Sequence, residues 1–312
     1  MTALGSLRRQ IFGIPEPGKV FGKPGFAPEA WPRFAAVAES LALGYHATLE
    51  DSSAAVLAVR LQAVDPMYSG FAYEGAGMGL GALDLMTPWK NRLGAFVEGP
   101  GDSHIYTVYV GFGLALARLR RRPERHLDAL DPLLRWAVLD GYGFHCGFFS
   151  FRRYIAEKAR PTQLAGVCRP LFDQGLGRAI WFSSGGVVSR VAQTVEAFQR
   201  DRHGDLWNGV GMACAYGGGA DRAGLDRMCD VAGGYRDRLA WGAATAAWTR
   251  DLAGNQANHT DLACEVFSGV SSDEAAHVLK LGRREVAGSA SSVPIKAWRS
   301  HFAATIGITS GV

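Results

Sequence analysis

Apolar residues recur at helical spacing along most of this chain. Phe34, Val37, Leu41 and Leu43 form one stripe. Val56, Leu57, Val59, Leu61 and Val64 form a second, and Val188, Val191, Val195 and Phe198 a third. Period-two alternation is confined to short pieces, so the pattern predicts an all-α fold. Asp51 or Ser52 is placed to cap the second helix, and Pro66 closes it. Further helices are expected over Gly70–Met86, Asp128–Leu139, Phe148–Ala159, Asp221–Val231, Gly234–Leu252, His259–Phe267, Ser272–Leu279 and Pro294–Ala304. Asp140–His145 (DGYGFH) reads as a break, and 161 to about 175 as a connection. Residues 1–33 carry Pro15, Pro17, Pro24, Pro28 and Pro32, which forbid one continuous helix. They read as an extended arm, with a disordered tail as the alternative.

One short pattern occurs twice. Tyr73-Glu74-Gly75-Ala76-Gly77-Met78 returns as Trp207-Asn208-Gly209-Val210-Gly211-Met212, 134 residues later. Gly111 and Gly242 form a similar pair 131 residues apart, each within an apolar helix. These pairings predict two tandem copies of a helical unit, residues 34–160 and 161–290, packed about a pseudo-two-fold axis as one globular unit. The arm precedes them and a tail, 291–312, follows. Two copies are too few for a solenoid. Gly-x-Gly also suggests a phosphate loop. That loop needs a preceding strand and a third glycine, and neither copy has them. Close helix packing is the stronger reading, at about 1 kcal/mol of lost helix propensity per glycine.

Composition narrows the function classes. The chain has 312 residues, 48% hydrophobic and 20% charged, as ordinary globular proteins do. Forty glycines lie mostly inside apolar segments. The formal charge of +4 is mild, and no helix-turn-helix with a basic face appears, so nucleic acid is not an expected partner. Arg118, Arg120, Arg121, Arg122 and Arg125 follow an apolar segment, as a solvated helix C-terminus would. Contact with an acidic partner or a membrane surface is the alternative. Five cysteines show no CxxC spacing, which fits a reducing cytosol rather than a disulfide framework. No Cys/His metal cluster, signal peptide or stretch of about 20 apolar residues is apparent, so no metal, no transmembrane segment and a cytoplasmic location are expected.

The candidate chemistry gathers around the repeated motif. Glu74 occupies the position that Asn208 holds in the second copy. A carboxylate on a small-residue, apolar surface has a raised pKa, which makes Glu74 the candidate general acid or base. His104, Tyr106 and His145 are further proton-transfer candidates, each with a purely structural role as the alternative. Arg178, in an apolar stretch, needs a partner. It either pairs with Asp173 or Asp140, or holds an anionic ligand together with Trp181. Trp181, Trp207 and Tyr216 would supply aromatic walls for a planar or polyunsaturated ligand, with Asn208 as a polar contact. Cys146 lies beside His145, but neighbours on a helix point apart.

Several runs are familiar together: Phe71–Gly79, Ala95–Leu119, Asp140–Phe149, Gly175–Phe182, Trp207–Gly219 and His259–Cys264. Over roughly Leu7–Leu279 the chain resembles an uncharacterised bacterial family. Its members recur in gene clusters for enediyne antibiotics, beside the iterative polyketide synthase. The resemblance implies a protein of secondary metabolism that acts on a polyene or partly cyclised polyketide. The expected step is cyclisation or isomerisation without a bound redox cofactor. It carries no family catalytic residues to transfer and names no cofactor. A non-catalytic carrier or scaffold, binding the intermediate or components of the synthase, is the alternative.

Overall fold

A helix that is apolar on every side must be buried on every side. In the computed structural model, which describes residues 3–164, 166–287 and 294–308, several helices are of this kind. The elements are α1 (Ala3–Phe12), α2 (Pro17–Phe21), α3 (Ala30–Glu50), α4 (Ala54–Gln62), α5 (Pro66–Met86), α6 (Arg92–Val97), α7 (Ile105–Arg118) and α8 (Ala137–Phe149). They continue with α9 (Cys168–Ser183), α10 (Val188–Glu196), α11 (Arg200–Gly217), α12 (Arg222–Ala232), α13 (Arg236–Ala253), α14 (Asn258–Ser268), α15 (Ser272–Ala287) and α16 (Pro294–Thr305). No strand occurs among the described residues. In α5 every residue from Ser69 to Leu83 is buried, and in α7 every residue from Tyr106 to Ala117. One hydrophobic core runs from Val20 to Phe302.

The backbone of the fold is a row of helices in the order α3, α5, α7, α8, α9, α11, α13, each packed most extensively on the next. Glycines make the row this tight. A Cβ on Gly77 would lie 2.2 Å from the Val108 carbonyl oxygen, and one on Gly111 would lie 1.9 Å from that of Glu74. As one helix advances three positions the other retreats by three, so the two run antiparallel. The same reciprocal contact joins Gly44 with Gly75, Gly113 with Gly141, Gly143 with Gly175, Gly177 with Gly209, and Gly211 with Gly242 at the other interfaces of the row. Each Gly-x-Gly therefore presents one glycine to the preceding helix and one to the following helix.

The row curls so that its early helices face its late ones across a central seam. Phe71 of α5 meets the Tyr216 ring of α11 edge-on at 5.1 Å. The Tyr106 hydroxyl of α7 lies 3.4 Å from Met212 Sδ. Arg250 of α13 donates to the Met67 carbonyl at the start of α5.

The structure departs from the pattern-based expectations in specific places. Asp140–His145 is not a break but the centre of α8, because Gly141 and Gly143 are contact points. The helix expected over Phe148–Ala159 stops at Ser150, leaving a short π-turn at Arg152–Ala156. The arm is not extended throughout: it forms α1, and then α2 with Pro17 at its first turn. The glycines of the two motifs do not meet each other; Gly75 faces Leu41 and Gly209 faces Gln174. Leu43 and Val59, counted in the apolar stripes, are exposed. The expected boundary at 290–291 and the extreme ends of the chain lie outside the described residues.

Candidate active site

The residue just before a glycine pair points into the seam in four helices of the row. These residues are Glu74 on α5, Asp140 on α8, Gln174 on α9 and Asn208 on α11, and all are buried. Arg178 follows the second glycine of α9 and ties them together. Its Nη1 donates to Asp140 Oδ1 at 2.9 Å, and its Nη2 to Glu74 Oε2 at 3.3 Å. The guanidinium also sits 4.9 Å from the centre of the Phe144 ring, a cation–π contact. Asp140 Oδ2 accepts from Gln174 Nε2 at 2.8 Å, and Gln174 Oε1 accepts from Asn208 Nδ2 at 2.9 Å. The Tyr106 hydroxyl donates to Asp140 Oδ2 at 3.4 Å.

Asp140 Oδ2 accepts from Gln174, so the Gln174 amide nitrogen is turned inward. The Gln174 carbonyl then faces Asn208, whose nitrogen must donate to it. Asn208 Oδ1 is thereby turned away from the chain, and it has no hydrogen-bond partner among the described residues.

Two carboxyl groups share one guanidinium in a dry environment, and the charges do not balance if both ionise. Burial pushes the Glu74 carboxyl up to about 7; Asp140 adds to the rise, while Arg178 opposes it. Arg178 stays firmly protonated, held up by both carboxylates against the cost of burial. Tyr106 is raised well above its ordinary value by burial and by Asp140, so it is a neutral hydroxyl. Tyr216 is raised to about 12, chiefly by burial, and its hydroxyl has no partner among the described residues. Of these groups, only Glu74 is brought near neutrality by its surroundings.

Glu74 and Arg178 line a cavity of about 60 Å³ whose other walls are apolar, among them Leu41, Phe71, Leu114, Phe144, Phe148 and Phe182. One side of the cavity is formed by Ile14, Pro15, Pro17, Val20 and Phe21 of the N-terminal arm. The arm is fastened on either side of this stretch. Tyr45 donates to the Phe12 carbonyl at 2.9 Å, and the Ala27 amide donates to the Ser183 carbonyl at 2.8 Å. A smaller void deeper in the seam is lined by Glu74, Arg178, Tyr106, Met212 and Tyr216.

Residues 3–306 match the model of a family described as "Protein of unknown function (DUF1702)". The chain belongs to the DUF1702 family. No curated protein and no solved structure matches it.

In this DUF1702 member, five of the nine residues expected from sequence (Glu74, Tyr106, Arg178, Asn208 and Tyr216) border the seam or its voids. The other four lie elsewhere. His104 stacks flat on Tyr73, with ring centres 3.7 Å apart, and burial lowers its pKa to about 4. His145 packs against Phe149, and burial, with Arg118 adding, lowers it to about 3. Both rings are neutral at physiological pH and neither lines the cavity. Trp181 is fully buried and donates to the Gly218 carbonyl at 3.0 Å; Trp207 is buried in the core. Gln174 carries no sequence signal beyond its place before a glycine pair. Of the two partners expected for Arg178, the structure gives it Asp140, together with Glu74, while Asp173 pairs with Arg160 and Arg202. No cluster of three or more His, Cys, Asp or Glu side chains is arranged to hold a metal among the described residues.

Proposed function

We propose that this protein is an enzyme of enediyne-type natural-product biosynthesis that rearranges a conjugated polyene or partly cyclised polyketide by proton transfer through Glu74. The observation that carries the reading is a single carboxyl group, poised near neutrality, on the wall of an otherwise apolar cavity beside a fixed guanidinium. A catalytic acid or base works best when its pKa lies near the working pH. The substrate class and the cytoplasmic setting follow from the motif resemblance over Leu7–Leu279, and components of the polyketide synthase are the partners it implies.

The chemistry balances without an added electron donor or acceptor. Ionised Glu74 removes a proton from a carbon conjugated with a carbonyl, and the electron pair moves onto the carbonyl oxygen. Arg178 faces the same cavity and offsets the developing negative charge in a low-dielectric setting. Protonated Glu74 then returns a proton to a different carbon of the conjugated chain. The result is an isomer, or a ring if the enolate attacks an electrophilic carbon within reach. A cavity of about 60 Å³ holds only a small part of such a chain. On this reading the stretch of arm over the cavity, held also by the Ile14 amide donating to His46 Nε2 at 3.3 Å, moves aside to admit the chain.

The test is incubation of the protein with the linear polyene product of the synthase in deuterated water, followed by mass analysis of free and bound material. Turnover adds solvent deuterium to carbon, and Glu74→Gln abolishes that gain while the polyene still binds. Binding with no change of mass or retention in the wild-type protein would identify a carrier and defeat the catalytic reading.

A further inference from the structure

The seam has a second opening, built differently from the first. A cavity of about 220 Å³ lies between α9, α11, α13 and α16. Its floor is the end of the amide chain, Gln174 and Asn208, and its rim carries Arg238, Lys296 and Arg299 opposite Asp205. It shares Gln174, Leu171, Trp241 and Ile295 with a narrower void of about 30 Å³ that runs inward past Trp136, Trp248 and Trp298 to Tyr106. The two form one slot, charged at the mouth and aromatic within.

The charges at the mouth are unequal. Arg238 is engaged by Asp205 at 3.5 Å and by Asp237 at 3.3 Å. Arg299 is half-buried, and it and Lys296 form no ion pair among the described residues. Burial and the neighbouring Arg238 pull the Arg299 pKa down, and Asp205 and Asp237, both already engaged by Arg238, offset this only in part. Two buried polar atoms on the slot walls also lack partners. One is Asn208 Oδ1, an acceptor whose outward orientation is fixed by Asp140 through Gln174. The other is the Trp136 indole nitrogen, a donor. Buried polar groups are rarely left unpaired, and each costs about 1–3 kcal/mol when it is. One ligand that brings an anion to the mouth and a short apolar body to the tryptophans would relieve the unpaired charge.

We infer that this slot is a binding site for a small organic monoanion, a carboxylate on a short planar or apolar body, held by Arg299 and Lys296 at its charged end and by Trp241 and Trp136 along its body. It shares no lining residue with the larger Glu74 cavity, meets the smaller Glu74-lined void only at Tyr106, and does not depend on the function proposed for that site. Its volume is below the roughly 300 Å³ typical of drug-sized ligand pockets, which restricts the body to a single ring or a short chain.

Calorimetric titration of the full-length protein with cinnamate and hexanoate tests the assignment, with cinnamamide and inorganic phosphate as controls. The acids are expected to bind at millimolar concentrations or tighter, and cinnamamide at least about tenfold more weakly. Arg299→Met should weaken cinnamate about tenfold to a hundredfold, the cost of one charged hydrogen-bonded contact. Lys296→Met, at an exposed position that leaves folding intact, should weaken it less and reduce its salt sensitivity. Failure of both acids to bind would overturn the proposal. So would equal binding of the amide, or unchanged affinity in both variants. Phosphate binding in place of the acids would remove the apolar body from the assignment and refute it as stated.

Discussion

Replacing Glu74 by glutamine tests the electrostatics of the seam without any knowledge of the substrate. The side chain keeps its shape, and its amide oxygen can still accept from Arg178. What changes is titration. The carboxyl rises from an ordinary 4.5 to about 7 on folding. A raised carboxyl contributes stability that is fully present below about pH 4.5 and is lost as pH climbs through 7. Over that window the loss approaches about 3 kcal/mol, at 1.36 kcal/mol per pKa unit. His104 and His145 titrate in the opposite sense, because burial lowers them, but both proteins carry them, so their effect cancels in the difference. Urea unfolding of both proteins across about pH 5 to 9 gives the difference curve directly. The two should be equally stable near pH 5, and the glutamine variant should gain about 3 kcal/mol by pH 9. A flat difference, or a wild type that is the more stable at high pH, would show that Arg178 holds Glu74 ionised throughout. The proton-transfer role would then lose its basis.

Three further outcomes are expected. Gly209→Ala places a Cβ 1.8 Å from the Gln174 carbonyl oxygen and should cost about 3 kcal/mol or more in urea unfolding, whereas Gly18→Ala, with only a 3.4 Å contact to Trp31, should be nearly silent. Arg178→Met strands two buried carboxyl groups and should destabilise by about 3–5 kcal/mol, with part of the loss recovered by adding Asp140→Asn. Of the five free cysteines, only Cys229 is not fully buried, and burial raises the thiol pKa at all five. A thiol reagent should therefore modify one group in the native protein and all five after denaturation.

The helical class was readable from apolar spacing, and much of the site from one position: the residue before Gly-x-Gly. Glu74 and Asn208 stand there in the two copies that are easiest to recognise. The same dipeptide spacing also occurs at Gly111 and Gly113, Gly141 and Gly143, and Gly175 and Gly177. Five pairs at intervals of 36, 30, 34 and 34 residues form the pattern behind the row. Read that way, Asp140 and Gln174 stand beside Glu74 and Asn208 in the sequence itself, with Val110 the apolar exception. Isolated glycines in DGYGFH look like a break because propensity disfavours them, but packing against a neighbouring backbone overrides that preference. His104 and His145 misled for a different reason. A histidine beside a motif looks the same in sequence whether it stacks in the core or faces a cavity. Only the fold shows that His104 lies on Tyr73.

Paired glycines divide labour along each central helix. They set the spacing of the scaffold with bare backbone, so the side chain beside them is turned into the seam. That adjacent position becomes an interchangeable letter: Glu on α5, Asp on α8, Gln on α9, Asn on α11. Exchanging letters would change the charge and hydrogen bonding of the seam while leaving the glycine contacts in place. This suggests how one architecture could diversify its chemistry during evolution, and where an engineer should begin.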